Sequence, residues 1–190
     1  MTIAKPKIEN PLHDLIRATA LSSFCELTTI EDAELGPLEH PDRLVLGFKT
    51  AFILIHSDWF DCVFKAHFSI ATAKHLLIIV GGLAEDEIEY DDAADFVKEY
   101  TNMFGGHFLD HLAKAKIRSE LSIPTCSEGF DDILRKKDTY DNHFYDYCRI
   151  TFGSNGLNIS LETIIKNEQV FANLEESARN PTAKRGVVMI

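Results

Sequence analysis

The feature that most constrains the fold is a long amphipathic helix, predicted roughly over Asp92 to Lys116. At about 100° per residue, its large apolar side chains fall on one side of the helical wheel. They are Phe96, Val97, Tyr100, Met103, Phe104 and Phe108. Acidic residues at the start of the segment suit the positive end of a helix dipole. The pattern predicts that one face of this helix lies in the protein core.

The opposite side of the predicted helix carries a polar line of Asp95, Glu99, Asn102 and Gly106. Such a line is ordinary on the solvent side of a helix. However, Asn disfavours helix interiors, because its side chain competes for backbone hydrogen bonds. Gly106 and its neighbour Gly105 each cost about 1 kcal/mol relative to alanine there. Since sequences tend to break local rules at functional sites, this line is the candidate site, with Gly106 leaving room for a partner's backbone.

Two shorter helices are also predicted. The first begins at Asn10-Pro11, with Asn as N-cap and Pro at the first helical position, and ends near Cys25. The second runs from Ile70 to Val80, where Ser69 can cap its start and Gly81-Gly82 can stop it. The acidic run from Glu85 to Asp92 is interpreted as a solvated loop.

Strands are predicted from β-favouring composition, from alternation and from a hairpin signal around Gly153 to Gly156. The predicted strands are Leu44 to His56, Phe60 to Phe68, Phe144 to Phe152 and Leu157 to Ile165. Together with the helices, they predict an α+β fold in which an antiparallel or mixed sheet packs against about three helices. The main domain is assigned to residues 1–166, and residues 167–190 are interpreted as a C-terminal extension that is partly helical or flexible.

Composition excludes several functional classes. Hydrophobic residues make up 45% and charged residues 26% of the 190-residue chain, which is typical of a globular protein. The formal net charge of -11 disfavours nucleic acid as a partner, because phosphate backbones attract clustered Lys and Arg. The apolar runs are too short to span a bilayer, and the four dispersed cysteines are typical of reduced thiols. We therefore expect a cytoplasmic protein that contacts no membrane.

The polar line also carries a resemblance to a known family. Asp95-x3-Glu99-x2-Asn102, followed by Met103 and Gly106, and then by the Leu121 to Thr125 segment with Pro124, resembles the signature of the CheC/CheX/FliY phosphatases of bacterial chemotaxis. The order of the elements between about Ile8 and Lys166 is similar to that of the CheX branch.

The sequence departs from the CheX pattern at three places. Tyr100 stands where the branch usually has Leu, His107 stands where it usually has Asn, and Pro124 comes one residue early. Residues 31–43 and the chain after Asn167 extend beyond the core pattern.

The resemblance implies a CheX-like domain that dephosphorylates the aspartyl phosphate of a CheY-like response regulator. Asn102 would orient the attacking water, and Glu99 would pair with the regulator's active-site Lys. Asp95, Gly106 and Pro124 would contact the partner. The chain itself would bind no cofactor, since the response regulator would bring Mg²⁺. The resemblance also implies a homodimer joined through sheet edges.

Other interpretations stay open from the sequence. The same helix could grip a response regulator or another signalling partner without hydrolysis. His107 and His111, spaced i, i+4, suit a metal pair, although the sequence identifies no third ligand. Cys126 follows Pro124, but no base to activate it is evident. Gly81-Gly82 lacks the further glycines of a nucleotide fingerprint.

Overall fold

The computed structural model describes residues 10–37, 49–128 and 142–179. Four helices lie in these ranges, one more than expected: α1 (Pro11–Thr28), α2 (Ile70–Gly81), α3 (Tyr90–Lys114) and α4 (Gln169–Arg179). The strands in these ranges are β1 (Glu34–Pro37), β2 (Lys49–Ser57), β3 (Phe60–Phe68), β4 (Ser119–Leu121), β5 (Thr125–Glu128), β6 (His143–Phe152) and β7 (Asn155–Ile165). The α+β prediction is confirmed.

Local capping explains where the first two helices begin and end. The side chain of Asn10 accepts hydrogen bonds from the backbone N–H groups of Leu12 and His13 at the start of α1. Ser69 caps α2 in the same way through Thr72. Helix α2 ends at Gly81 and is capped by Gly82, which has a φ of 63°, in the left-handed region that favours glycine. Helix α1 continues to Thr28, beyond the predicted end near Cys25.

The strands form one seven-stranded antiparallel sheet in the order β1-β6-β7-β3-β2-β4, and β5 also pairs with β2. The predicted strand Phe60–Phe68 is observed with the same bounds, and the predicted hairpin becomes β6 and β7 around Gly153. The predicted strand from Leu44 begins in the described ranges at Lys49, and residues 44–48 lie outside them. The sheet is therefore antiparallel throughout the part that the structure describes.

The core lies between one face of the sheet and the helices. Alternate residues of β3 point into it, namely Cys62, Phe64, Ala66 and Phe68. The other face of β3 is buried at Lys65 and His67 as well. His67 is accommodated because its two ring nitrogens lie 3.0 Å from Thr50 Oγ1 and 2.7 Å from Ser160 Oγ.

The acidic run and the segment after residue 166 both contain helical structure. The acidic run contains a short 3-10 helix, Glu85–Glu87, and α3 begins within it at Tyr90. The segment interpreted as a C-terminal extension forms α4, which contacts α1 and buries Val170 and Leu174 in the common core. No helix of the described residues is both long and apolar enough to cross a membrane.

Candidate functional site

Glu99 and Asn102 lie one turn apart on the solvent side of α3, and both are exposed. The amide nitrogen of Asn102 donates a hydrogen bond to Glu99 Oε2 at 3.4 Å. This distance is long for a protein hydrogen bond, so a partner can replace the contact at small cost. The structure thus brings together the two predicted central residues and leaves both side chains open to an approaching molecule.

The helix that carries this pair is anchored by aromatic packing on its opposite face. Phe104 is fully buried and stacks on Phe64 of β3, with ring centroids 3.7 Å apart. Phe108 stacks on Phe104 at 5.6 Å and meets Phe60 edge-on at 6.4 Å. Because buried aromatic side chains interdigitate with fixed geometry, the backbone beneath Glu99 and Asn102 is held rigidly.

The two departures from the family pattern on α3 contact α1. Tyr100 is buried, and its hydroxyl donates a hydrogen bond to the carbonyl of Ala20 at 3.0 Å. Burial raises the pKa of Tyr100 well above its usual value, so the hydroxyl stays protonated as a donor. His107 Nδ1 lies 2.9 Å from Ser23 Oγ. Both residues therefore fasten α3 to α1 and leave the exposed pair unobstructed.

Asp95, the third member of the polar line, is exposed and forms an ion pair with Lys98 one turn along α3. The hydrogen bond from this lysine to Asp95 is the main cause that raises the pKa of Lys98. The carboxylate of Asp95 therefore has a partner within its own helix. Its predicted contact with another protein would have to compete with this pair.

The two adjacent glycines of α3 have opposite surroundings. Gly106 is exposed, and a Cβ built on it would meet no atom of the described residues within 4 Å. Gly105 is buried, and a Cβ there would lie 2.9 Å from Ile53 Cδ1 and 3.0 Å from Leu121 Cδ1. Gly105 therefore lets α3 approach β2 and β4 closely, whereas Gly106 leaves space beside Asn102.

Pro124 is half-buried and lies between β4 and β5, which act as one interrupted edge strand along β2. Leu121 pairs with Ile55, but Thr125 pairs with Phe52, so the edge strand contains one residue more than its partner over this stretch. This extra residue makes a β-bulge. Proline is tolerated there because a bulge at an edge requires no backbone donor.

Among the described residues, the other candidate residues form no metal site. His111 is half-buried, and desolvation, followed by the charge of Lys114, lowers its pKa. His107 and His111 belong to no group of three or more His, Cys, Asp or Glu residues that could hold a metal within the described ranges. Cys126 is half-buried in β5, where it pairs in register with Ala51.

The sequence prediction missed one prominent residue beside the site. Ile123, next to Pro124 in the bulge, has 85% of its surface exposed. An available signal was an isoleucine directly before a proline, in a segment too short for a regular strand. Such a signal does not indicate which way the side chain points.

Comparisons with solved structures identify the fold. A CheX chemotaxis protein from Vibrio vulnificus matches with a TM-score of 0.63 and 15% identity, over 81% of this chain and 99% of that one. A chain in the CheX–CheY–BeF3–Mg complex from Borrelia burgdorferi matches at 0.61 and 12%, over 82% and 98%. A chain in the FliM–SpeE complex from H. pylori matches at 0.55 and 7%, over 88% and 92%.

No family model matches the sequence, and no curated protein matches it. The likeness is therefore one of three-dimensional structure. It extends over about four fifths of the chain and over nearly all of each CheX chain. The predicted resemblance is confirmed at this level: the chain has the fold of the CheX and CheC-like chemotaxis proteins.

Proposed function

We propose that this protein accelerates hydrolysis of the aspartyl phosphate of a CheY-like receiver domain. The observation that carries the proposal is the exposed Glu99–Asn102 pair, joined at 3.4 Å on a rigidly packed helix. A fold can host different activities, so the site has to carry the argument. The fold adds that a structurally similar chain occurs in a complex of CheX with CheY, BeF3 and Mg.

The proposed chemistry requires little from the protein beyond positioning. An aspartyl phosphate is a mixed anhydride of a carboxylate and phosphate. Water attacks phosphorus and forms a new P–O bond, and the bond from phosphorus to the carboxylate oxygen breaks. The receiver's carboxylate leaves with the electron pair, while inorganic phosphate and solvent take up the protons of water. Such transfers depend mainly on in-line placement and on charge stabilisation.

Asn102 would hold the attacking water through its side-chain amide. This group offers both a donor and an acceptor, and it carries no charge that would repel the phosphoryl oxygens. An amide positions water in this way in GTPases that use a glutamine. The Asn102 side chain is suited to the role because it is exposed and, among the described residues, is bound only by the long contact to Glu99.

Glu99 would pair with a lysine of the receiver's active site and so bring Asn102 into register. Exposed acids that precede it on the same helix, Asp91, Asp92 and Asp95, favour a cationic partner group. Magnesium would arrive bound to the receiver, where it would neutralise charge on the phosphoryl oxygens. The chain would therefore need no metal or cofactor of its own.

The test is the rate of phosphate release from a phosphorylated receiver domain, with and without the protein. Asn102→Ala should lower the acceleration by about 100-fold, the scale of a lost positioning contact. Glu99→Ala should mainly raise KM, because it removes a docking contact. The matched control is Glu176→Ala, an exposed acid on α4. If both site variants retain wild-type acceleration, the assignment of the site is wrong.

The second candidate function is a binding module that grips the same receiver without hydrolysis. The similar chain in the FliM–SpeE complex shows that this fold also occurs in an assembly with a different composition. Saturable binding of the phosphorylated receiver, with no change in its dephosphorylation rate, would establish this function instead. Sedimentation of the purified protein tests the expected homodimer separately.

A further inference from the structure

Ile123 is the most exposed large hydrophobic residue of the described chain. Its exposed fraction is 85%, whereas the next values in this class are 45%, for Leu54 and Ile79. A single exposed apolar side chain is common on protein surfaces and by itself indicates nothing. A role in binding therefore has to be argued from the position of Ile123 in the fold.

The backbone around Ile123 is held in place. Ser122 N–H donates to the carbonyl of Leu54 at 2.9 Å, and Ser122 Oγ accepts from Leu54 N–H at 3.0 Å. The carbonyl of Ile123 accepts from Ser122 Oγ at 3.2 Å and from Thr125 Oγ1 at 3.3 Å. The bulge thus fixes the main chain of Ile123 while its side chain projects into solvent. Bulges recur beside active sites, where they re-aim a side chain.

The bulge lies alongside the turn of α3 that carries Asn102. Leu121, before the bulge, lies against Gly105, since a Cβ on Gly105 would come within 3.0 Å of Leu121 Cδ1. Helix α3 contacts both β4 and β5. Gly105 is therefore on the flank of α3 that faces the edge strand, and Asn102 lies about 60° from Gly105 on the helical wheel.

We propose that Ile123 is an apolar anchor that contacts the receiver domain while its phosphoryl group lies at Asn102. This inference rests on the proposed function and deepens it. A protein that delivers a phosphoryl group to Asn102 would approach α3 next to the edge strand that holds the bulge. Binding energy concentrates in a few desolvated apolar contacts surrounded by polar ones. The Glu99–Asn102 pair would then provide the polar part and Ile123 the apolar part.

Charge favours a receiver domain over a second copy of this chain as the occupant. The helix beside the bulge presents Asp91, Asp92 and Glu99 to solvent, in addition to the Asp95–Lys98 ion pair, and the whole chain has a formal charge of -11. Two copies meeting through this surface would place like charges opposite each other, which is unfavourable. A receiver that brings a lysine and bound Mg²⁺ would supply the complementary charge.

The experiment uses Ile123→Ser in the full chain and measures two quantities. The first is binding, given by the Kd for a receiver domain loaded with beryllofluoride and Mg²⁺. The second is dephosphorylation, given by its kcat and KM. We expect Kd and KM to rise at least 10-fold and kcat to stay within about twofold of wild type, since Ile123 does not touch the reacting atoms. Ile123→Leu should have the wild-type Kd and KM.

The matched control is Leu83→Ser, which removes an aliphatic side chain with 42% exposure outside the site. It should leave Kd and KM unchanged, and denaturant unfolding should show that both serine variants are folded. Unchanged Kd and KM in Ile123→Ser would overturn the anchor, and the proposed function would still stand if Asn102→Ala had lost activity. Dissociation of a homodimer by Ile123→Ser, with receiver binding intact, would also overturn it.

The two proposals can fail separately. A wild-type protein that binds the loaded receiver without accelerating dephosphorylation, and whose Ile123→Ser variant binds more weakly, would support the anchor and refute the catalysis. A wild-type protein that neither binds the receiver nor accelerates hydrolysis would refute both.

Discussion

The two faces of α3 contrast in how their side chains are used. On the inner face, Tyr100 and Phe104 are buried and bonded or stacked against α1 and β3. On the outer face, Glu99 and Asn102 share one long hydrogen bond, and Gly106 leaves open space among the described residues. The inner face therefore carries stability and the outer face is available for function. Substitutions on the inner face should change stability, and substitutions on the outer face should change activity.

The contrast also shows that the departures from the resemblance on α3 lie away from the residues of the proposed site. Tyr100 and His107 differ from the usual CheX residues, yet both contact α1. In this chain, both side chains connect α3 to α1 through polar contacts. The two residues that would act on a substrate lie on the other side of the helix and keep the pattern of the family.

The largest expected effect on stability is at Phe104. Phe104→Ala should lower the free energy of unfolding by about 3–5 kcal/mol, because it removes a buried aromatic ring and leaves a cavity. Asn102→Ala, one half-turn away, should change this free energy by no more than about 0.5 kcal/mol. Denaturant unfolding of both variants is the measurement. Similar losses from the two would refute the division of α3 into a stabilising and a functional face.

Buried His13 of α1 should also make the stability of the protein depend on pH. Burial is the main effect, and it lowers the pKa of His13 below its ordinary value of 6.5, although Asp146 acts in the opposite direction. The unfolded chain then binds more protons, so stability should fall as the pH drops below about 6.5, by up to about 1.4 kcal/mol per pH unit for one proton.

Thermal unfolding of wild type and of His13→Gln measures this dependence. The measurements run from about pH 7.5 to about pH 5.5, because the ordinary histidine pKa of about 6.5 lies between these limits. The variant should have a shallower slope, because it has no imidazole to protonate at this position. His75→Gln, an exposed position on α2, is the control and should keep the wild-type slope. An unchanged slope in His13→Gln would exclude His13 as the source of the pH dependence.

A smaller effect is expected at Tyr100. Tyr100→Phe keeps the ring but removes the hydrogen bond to the carbonyl of Ala20, which should cost about 0.5–1.5 kcal/mol of stability. Because the hydroxyl points toward α1, kcat and KM for the receiver should be unchanged. A loss of activity without a loss of stability would mean that Tyr100 acts on the exposed face after all.

The smallest effect compares the two adjacent glycines. Gly106→Ala should raise the free energy of unfolding by up to about 1 kcal/mol, because alanine is the better helix former. Gly105→Ala should not raise the free energy of unfolding in this way, since the new methyl group would crowd Ile53 and Leu121. Denaturant unfolding distinguishes them. If a partner backbone approaches Gly106, the stabilised Gly106→Ala variant should also bind the receiver more weakly, and unchanged binding would exclude that approach.

Local signals predicted much of the fold. The caps at Asn10 and Ser69 and the glycines around Gly82 and Gly153 mark ends of elements, because each satisfies or releases backbone constraints within a few residues. The polar line of α3 followed from periodicity in the same way. By contrast, the burial of His67 depends on Thr50 and Ser160, which lie on two different strands. No local pattern contains that information.

The sequence by itself determined which face of the long helix is polar, and hence that Glu99, Asn102 and Gly106 share one exposed surface. Periodicity suffices for this, because burial on a helix repeats with its pitch. Only the tertiary structure decided what lies beside that surface. The one-residue register shift between β2 and the edge strand creates the bulge, and Gly105 lets α3 approach it. These depend on pairing between distant segments, which no single stretch of sequence encodes.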